Sequence, residues 1–284
     1  MSFGSSSDSF LNKWSKRNAW IMNFDRNDQS VRISYIDCGP PSASAPKGII
    51  LLIHGFPQSS YQFRHVINPL AEEGFRVIVP DYRGAGQSSH PAQDFRKSTM
   101  ARDLFSLLHD HLGITQAIHL VGHDIGGMVA HAYVTQYPDH VASVIWGECP
   151  LPGTSVYDVN KRMPEQFHFV FHTISPFDLD FYALQYSQPG ALRCSFEVYR
   201  AFEEDARENR ESLRLKGKCT RPVLILSGSQ SRHAQEAKEM VGEVYAGDIQ
   251  IDVVKDSGHW IAEENPEGFV QAALAFIYKH ASGQ

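Results

Sequence analysis

The residues that could do chemistry centre on Asp124. In Gly122-His123-Asp124-Ile125-Gly126 an acidic residue stands between glycines at the spacing of a nucleophile elbow, a strand-to-helix turn that more often carries serine. Such a turn is too tight for side chains on its flanks, so its central residue is thrust clear of the backbone. Gly126 and Gly127 also let the start of the helix lie close to neighbouring strands. A carboxylate at a helix N-terminus is kept ionised by the helix dipole. Its attack on carbon makes an ester, and hydrolysing that ester requires a base to activate water. His259, in Ser257-Gly258-His259-Trp260, is the candidate base, because imidazole accepts a proton near neutral pH. The bland alternatives are an aspartate that only caps its helix and a surface histidine, one of 14 in the chain.

An elbow needs a strand before it and a helix after it. Residues 117–121 read as the strand and 125–137 as the helix. The same alternation runs through most of the chain. Residues 31–37 alternate apolar and polar, as in an antiparallel edge strand, and 40–46 form a loop. The unbroken apolar run 48–54 suits a strand buried on both faces. Helix is expected over 61–73, 99–112, 234–245 and 266–279, and strand over 75–79, 141–146, 223–226 and 249–254. Strands alternating with helices predict an α/β fold with a mostly parallel central sheet flanked by helices. Residues from about 149 to 217 break the rhythm. They are rich in aromatics and end in a charged helical run, 203–216. The expected organisation is a core of residues 1–148 and 218–284 with a small helical cap inserted at 149–217.

The formal net charge of −6 argues against nucleic acid and gives no support for an anionic membrane surface. The most apolar run, 49–53, is only strand-sized, so no membrane span is expected. Residues 1–10 are serine-rich without the charged and apolar regions of a secretory signal, and the final Ala-Ser-Gly-Gln is not a peroxisomal address. The four cysteines are scattered, unlike a disulfide framework or a zinc site, and point to reduced thiols in a cytoplasmic protein. His109-x-His111 is the weakest lead, since no zinc motif accompanies it, and no metal is expected.

With these segments in place, the chain resembles the α/β-hydrolase superfamily over nearly its whole length. Within it the likeness is to epoxide hydrolases and dehalogenases, the branches with an aspartate nucleophile. His54-Gly55-Phe56-Pro57 resembles the family's oxyanion loop, Asp81-Tyr82-Arg83-Gly84-Ala85-Gly86-Gln87-Ser88 its turn after the next strand, and Ser257-Gly258-His259-Trp260 its histidine loop. The resemblance implies that the backbone N–H groups of Phe56 and Ile125 form the oxyanion hole and that their side chains line the pocket floor. In many relatives the acid that orients the histidine follows the strand at 223–226. Here Ser227-Gly228-Ser229-Gln230-Ser231 offers no carboxylate. The family's alternative position, after the strand at 141–146, holds Glu148, which is assigned as the acid ahead of Asp256. His54 and His123 are read as structural, and Asp81 and Arg83 as scaffold.

In the cap, Ser195-Phe196-Glu197-Val198-Tyr199-Arg200-Ala201 resembles the motif whose tyrosine protonates the epoxide oxygen. The second donor is commonly another tyrosine. Gln166-Phe167-His168-Phe169-Val170-Phe171 instead resembles a His/Tyr variant of the pair known in a bacterial epoxide hydrolase, so His168 is the expected second donor, with His172 behind it. His172 and Trp260 are further expected substrate contacts. The stretch between His168 and Tyr199 looks short for the family, which implies a more open pocket or one completed by another subunit.

The implied activity is hydrolysis of a small apolar epoxide to a vicinal diol through a covalent aspartyl ester. No cofactor is implied, and the chain is expected to be a monomer or homodimer. Dehalogenation by the same Asp, His and acid is the alternative. Haloalkane dehalogenases usually place Trp after the nucleophile, where Ile125 stands, and 149–217 contains no Trp. Fluoroacetate dehalogenases place arginines near the elbow, where Ile125 and Met128 stand. A non-catalytic binding protein on the same scaffold is the third reading.

Overall fold

Ile49–Ile53 is five aliphatic residues in a row, all buried, as the middle of a sheet covered on both faces requires. In the computed structural model, which describes residues 14–22, 30–41, 45–161 and 176–281, this segment is β3 of an eight-stranded sheet. The others are β1 (Arg17–Ile21), β2 (Val31–Cys38), β4 (Arg76–Pro80), β5 (Ile118–His123), β6 (Val141–Gly147), β7 (Val223–Gly228) and β8 (Ile249–Val254). The spatial order is β1-β2-β4-β3-β5-β6-β7-β8. Pairing is antiparallel at β1–β2 and β2–β4 and parallel across the rest. The strand expected at the edge, 31–37, is therefore not the edge. β1 pairs outside it, and the alternating sequence of β2 reflects its antiparallel partners rather than an open side.

Helices cover both faces. One side carries α2 (Lys97–Phe105), α3 (Ile125–Gln136) and α8 (His233–Val244), packed through Met100, Leu104, Val129 and Met240. The other carries α1 (Ile67–Glu72), α9 (Ile261–Glu264) and α10 (Pro266–Ala281), packed through Ile67, Leu70, Phe269 and Phe276. Two expected helices differ in detail. The span 61–73 divides into a short 3₁₀ turn, Ser60–Phe63, and α1, whose Pro69 sits in the first turn where a missing N–H is tolerated. The span 99–112 starts earlier and finishes as a π-helical turn, Ser106–His111. There the amide of Leu112 reaches back to the Leu107 carbonyl at 3.0 Å.

Between β6 and β7 the described residues form α4 (Ser155–Asn160), α5 (Pro176–Tyr186), α6 (Ala191–Arg200) and α7 (Phe202–Lys216). α7 opens with Glu203, Glu204 and Asp205 and closes with Arg214 and Lys216, charges that complement its dipole. No helix of the described residues is long and apolar enough to cross a membrane.

This topology aims the C-terminal ends of β3 and β5, adjacent in the sheet, at one crevice beside the point where strand order reverses. The loop after β4 packs alongside and is tied down by buried charge. Asp81 accepts from Lys16 Nζ at 2.6 Å, the Ser60 amide at 2.7 Å and the Gln87 amide at 2.9 Å. Arg83 grips Asp103 with two bonds, 2.5 and 2.7 Å, and donates to the Asp94 carbonyl at 2.8 Å.

Because both ends of the Arg83–Asp103 pair are buried, removing one leaves the other uncompensated. Arg83→Met is expected to destabilise the fold by about 3–5 kcal/mol, and adding Asp103→Leu to recover most of that loss. Urea unfolding of the single and double variants measures both.

Candidate active site

The elbow is closed by contacts that admit only glycine. A Cβ on Gly126 would lie 2.0 Å from the Ile53 carbonyl oxygen, so α3 can start directly against β3 only without a side chain there. Asp124 takes φ 54° and ψ −123°, a left-handed conformation that a non-glycine residue adopts only when its surroundings enforce it. Its amide is held by the Gly147 carbonyl at 3.0 Å, and its own carbonyl accepts the Gly127 amide at 2.8 Å.

The Asp124 side chain makes no capping bond to α3 beyond the elbow itself. Instead Oδ1 accepts the Phe56 amide at 2.9 Å, and the neighbouring Ile125 amide adds a favourable local field. Of the two backbone donors expected to face a developing oxyanion, that of Phe56 thus already holds this carboxylate. Gly55 makes the approach possible, since a Cβ there would meet Asp124 Cβ at 2.7 Å and Oδ1 at 3.0 Å. Burial pushes the Asp124 carboxyl above its ordinary range, while the His259 charge and the two amides pull the other way.

His259 donates from Nδ1 to Glu148 Oε2 at 3.0 Å, which leaves Nε2 as the basic nitrogen. Glu148 sits just past β6 at φ 63° and is almost wholly buried. Its remaining capacity is filled by the Gly228 amide (2.9 Å, to Oε1) and the Ser231 hydroxyl (2.7 Å, to Oε2). Burial opposes its ionisation, but the hydrogen bond and charge of His259 hold the carboxyl below its ordinary value. For His259 burial likewise opposes the charged ring. The hydrogen bond to Glu148 and the nearby Asp124 charge outweigh it and raise the pKa above the usual histidine value.

The histidine loop is fixed from two sides by residues whose part the sequence did not announce. Glu264, in α9, accepts the Gly258 amide on Oε2 and the Trp260 amide on Oε1, both at 2.8 Å. His123 donates from Nε2 to the His259 carbonyl at 2.7 Å, and burial lowers its pKa to about 3, so it acts as a neutral clamp. His54 is also neutral, its pKa lowered to about 4 by burial. It bonds the Gly55 carbonyl and stacks on Tyr82. Trp260 was expected to touch substrate. It is buried, set edge-on to His259 with ring centroids 4.6 Å apart, and lies against His123. His233 lies beyond the pair, its ring centroid 6.4 Å from that of His259.

Two tyrosines pack on the side chain of Phe56, the residue whose amide holds the carboxylate. Tyr199, near the end of α6, meets the Phe56 ring edge to face at 5.1 Å. Tyr186, the last residue of α5, meets the same ring at 5.9 Å. Burial raises both hydroxyl pKa values, and the Asp124 charge raises them further. Each is therefore a protonated O–H within electrostatic reach of the carboxylate. Tyr186 had no motif to mark it. Its only signal was an aromatic residue at the end of a helix. His168 and His172 lie outside the described residues.

Residues 48–171 match a family model described as alpha/beta hydrolase fold. The chain is 30% identical over 264 residues to the soluble epoxide hydrolase of Corynebacterium sp. (strain C12), covering 80% of this chain and 89% of that one. Epoxide hydrolase 4 of Mus musculus is 25% identical over 281 residues, covering 84% and 74%. Among solved structures, wild-type Cfl2 from Burkholderia cenocepacia superposes with a TM-score of 0.78 at 26% identity, over 92% of this chain and 95% of that one. The ligand-free epoxide hydrolase CorEH gives 0.74 at 26% identity, over 93% and 99%.

Removing the Glu148 charge takes away the largest contribution holding His259 protonated and leaves the charges of Asp124 and Glu264 to oppose burial. In Glu148→Gln the His259 imidazole is expected to titrate at lower pH than in the parent protein. A histidine NMR titration reads this directly, and an unchanged or raised midpoint would contradict the assigned contact.

Proposed function

Because the chain belongs to the α/β-hydrolase family, as an enzyme of the epoxide-hydrolase type, we propose that it opens a small apolar epoxide to a vicinal diol through an ester on Asp124. The observation that carries this reading is the state of the Asp124 carboxylate. It is free of helix capping, one oxygen is cradled by the Phe56 amide, and it lies within the field of His259.

In the first step the uncradled oxygen of Asp124 attacks a ring carbon from behind. The carbon–oxygen bond of the ring breaks, and the departing oxygen takes a proton from Tyr199. Tyr186 faces the same carboxylate and is the donor best placed to share that load among the described residues. His168 stays a proposed donor from the family pattern. In the second step water attacks the ester carbon and gives its proton to His259 Nε2. The developing oxyanion is Oδ1, which the Phe56 amide already holds and which the Ile125 amide would join in stabilising. On collapse the bond from the ester carbon to the alkyl oxygen breaks. That oxygen leaves with the diol as one of the original Asp124 oxygens and takes the proton held by His259, and the proton left on the regenerated Asp124 carboxyl returns to Tyr199.

Electrostatics times the base. While Asp124 is charged it helps keep His259 protonated. Ester formation cancels that charge, so the ring loses a stabilising partner and becomes a stronger candidate to accept the proton of water. Glu148 then steadies the imidazolium that forms. Residues 149–217 would act as the cap that brings the tyrosines over the core. The free cysteines, two of them buried, suit a reducing cytoplasmic setting.

His259→Gln should trap the intermediate. With styrene oxide, the peptide containing Asp124 is expected to gain the mass of one substrate while diol release stalls. In the parent enzyme, one turnover in heavy-oxygen water should label Asp124 before it labels diol. Label in the diol with none in Asp124 would mean direct attack by water and would sink the ester mechanism. A panel of epoxides, haloalkanes and haloacids separates the reading from dehalogenation.

A further inference from the structure

Tyr199 is partly exposed and sits in the last turn of a helix, where nothing in its own sequence fixes the hydroxyl over Asp124. What does fix this turn comes from the core. Lys97, the first residue of α2, is buried to 2% exposure. Its Nζ donates to the Val198 carbonyl at 2.9 Å, to Asp205 Oδ2 at 2.8 Å and to the Phe95 carbonyl at 3.4 Å. Val198 immediately precedes Tyr199, and its carbonyl belongs to the helix end, where acceptors run out of amides. The Lys97 amide donates to Asp205 Oδ1 at 2.8 Å, so one carboxylate in the first turn of α7, itself 2% exposed, takes both donors of one core residue.

The contact continues into the aromatic layer. Lys97 Nζ lies over the Phe202 ring, 4.5 Å from its centroid, and the Phe202 and Tyr199 rings pack at 5.1 Å. The ammonium thus touches the residue before Tyr199 in the chain and the ring beside it in space. Neighbouring exposed or half-buried pairs, Arg96 and Ser98 with Glu208, tie the same two helices but do not reach the α6–α7 corner.

We propose that Lys97, through its buried pair with Asp205, is a positioning residue that sets Tyr199 over the Asp124 carboxylate. The proposal rests on the reading of Tyr199 as the proton donor to the opening ring. A buried ion pair is a poor source of net stability but a strong source of fixed geometry, because its hydrogen bonds are directional and an unpaired partner is costly. Burial pushes the Lys97 ammonium below and the Asp205 carboxyl above their ordinary values, and each is kept charged by the other. Lys97 is also near enough to Asp124 to feel its charge.

The test is a double-mutant cycle on the full chain with single-turnover kinetics on styrene oxide, resolving ester formation from ester hydrolysis. Tyr199→Phe alone examines the underlying reading, and no effect on ester formation there would remove the donor itself. Given that effect, Lys97→Met is expected to slow ester formation at least about tenfold in the Tyr199 enzyme and less than about twofold on top of Tyr199→Phe. Ester hydrolysis, which uses His259 and water, should change less than about twofold in either background. Lys97→Gln, which keeps an N–H for the Val198 carbonyl, should lose less than Lys97→Met. Should Lys97→Met fail to fold, Lys97→Gln and Asp205→Asn run the same cycle. Equal slowing of ester formation with and without Tyr199, or parallel slowing of both steps, would mean a general structural role and overturn the assignment.

Discussion

The Phe56 amide and the Asp124 carboxylate meet at 2.9 Å, and almost every other feature of the site exists to permit that meeting. Two backbone segments must converge, from the ends of β3 and β5. They can converge only because those strands are neighbours and because Gly55 and Gly126 have no side chains in the gap. The left-handed backbone at Asp124 turns its side chain out of the helix it begins, so the carboxylate is presented to the crevice instead of capping its own amides. A dipolar cradle of this kind favours the anion and later favours the oxyanion of its ester. Both steps of the proposed reaction therefore use one preorganised set of donors.

The base is held with the same economy of motion. Glu148 accepts three hydrogen bonds, from Gly228, Ser231 and His259, and its position on the positive-φ residue after β6 aims it across the top of β7. The loop that carries His259 is bonded on one side by Glu264 and on the other by His123, a residue of the elbow itself. The carboxylate and the imidazole are thereby referred to one another through backbone as well as through space. Glu148 can reach His259 and the Gly228 amide from the end of β6 because β6 and β7 are adjacent.

The parts of this arrangement that could be read from the chain are those in which residue type and local spacing carry the physics. The five-residue aliphatic run of β3, the glycines of the elbow and the strand–helix alternation each have a local cause, and each element was found where its pattern lay. Glu148 could be singled out only through the family resemblance, which implies an acid either at 227–231, where no carboxylate stands, or after the strand at 141–146. What escaped was tertiary. β1 is five residues whose pairing outside β2 has no local signature. The π turn at Ser106–His111 follows from packing rather than propensity. Tyr186 and Lys97 act through partners tens of residues away and Glu264 through the amides of the loop just before it, and a lone tyrosine, glutamate or lysine in a helix looks like any other until its neighbours are known.

The helices between β6 and β7 and the sheet beneath them solve different problems with different forces. In the core, the groups that bind Asp124 are backbone amides, fixed by the sheet and insensitive to side-chain rearrangement. The tyrosines approach from helices that touch the core through fewer elements, so their distance to the carboxylate has to be set by something directional at the junction. Apolar packing alone would let the α6–α7 corner slide, since dispersion contacts reward area and not angle. A buried ammonium with three oxygen acceptors does reward angle. Because it lies within the field of the same carboxylate that the tyrosines face, the junction is also electrostatically part of the site. The Asp124 anion, the two tyrosines proposed as proton donors and the Lys97 cation form a single charge arrangement. The cradle fixes one end of it and the Lys97–Asp205 pair the other.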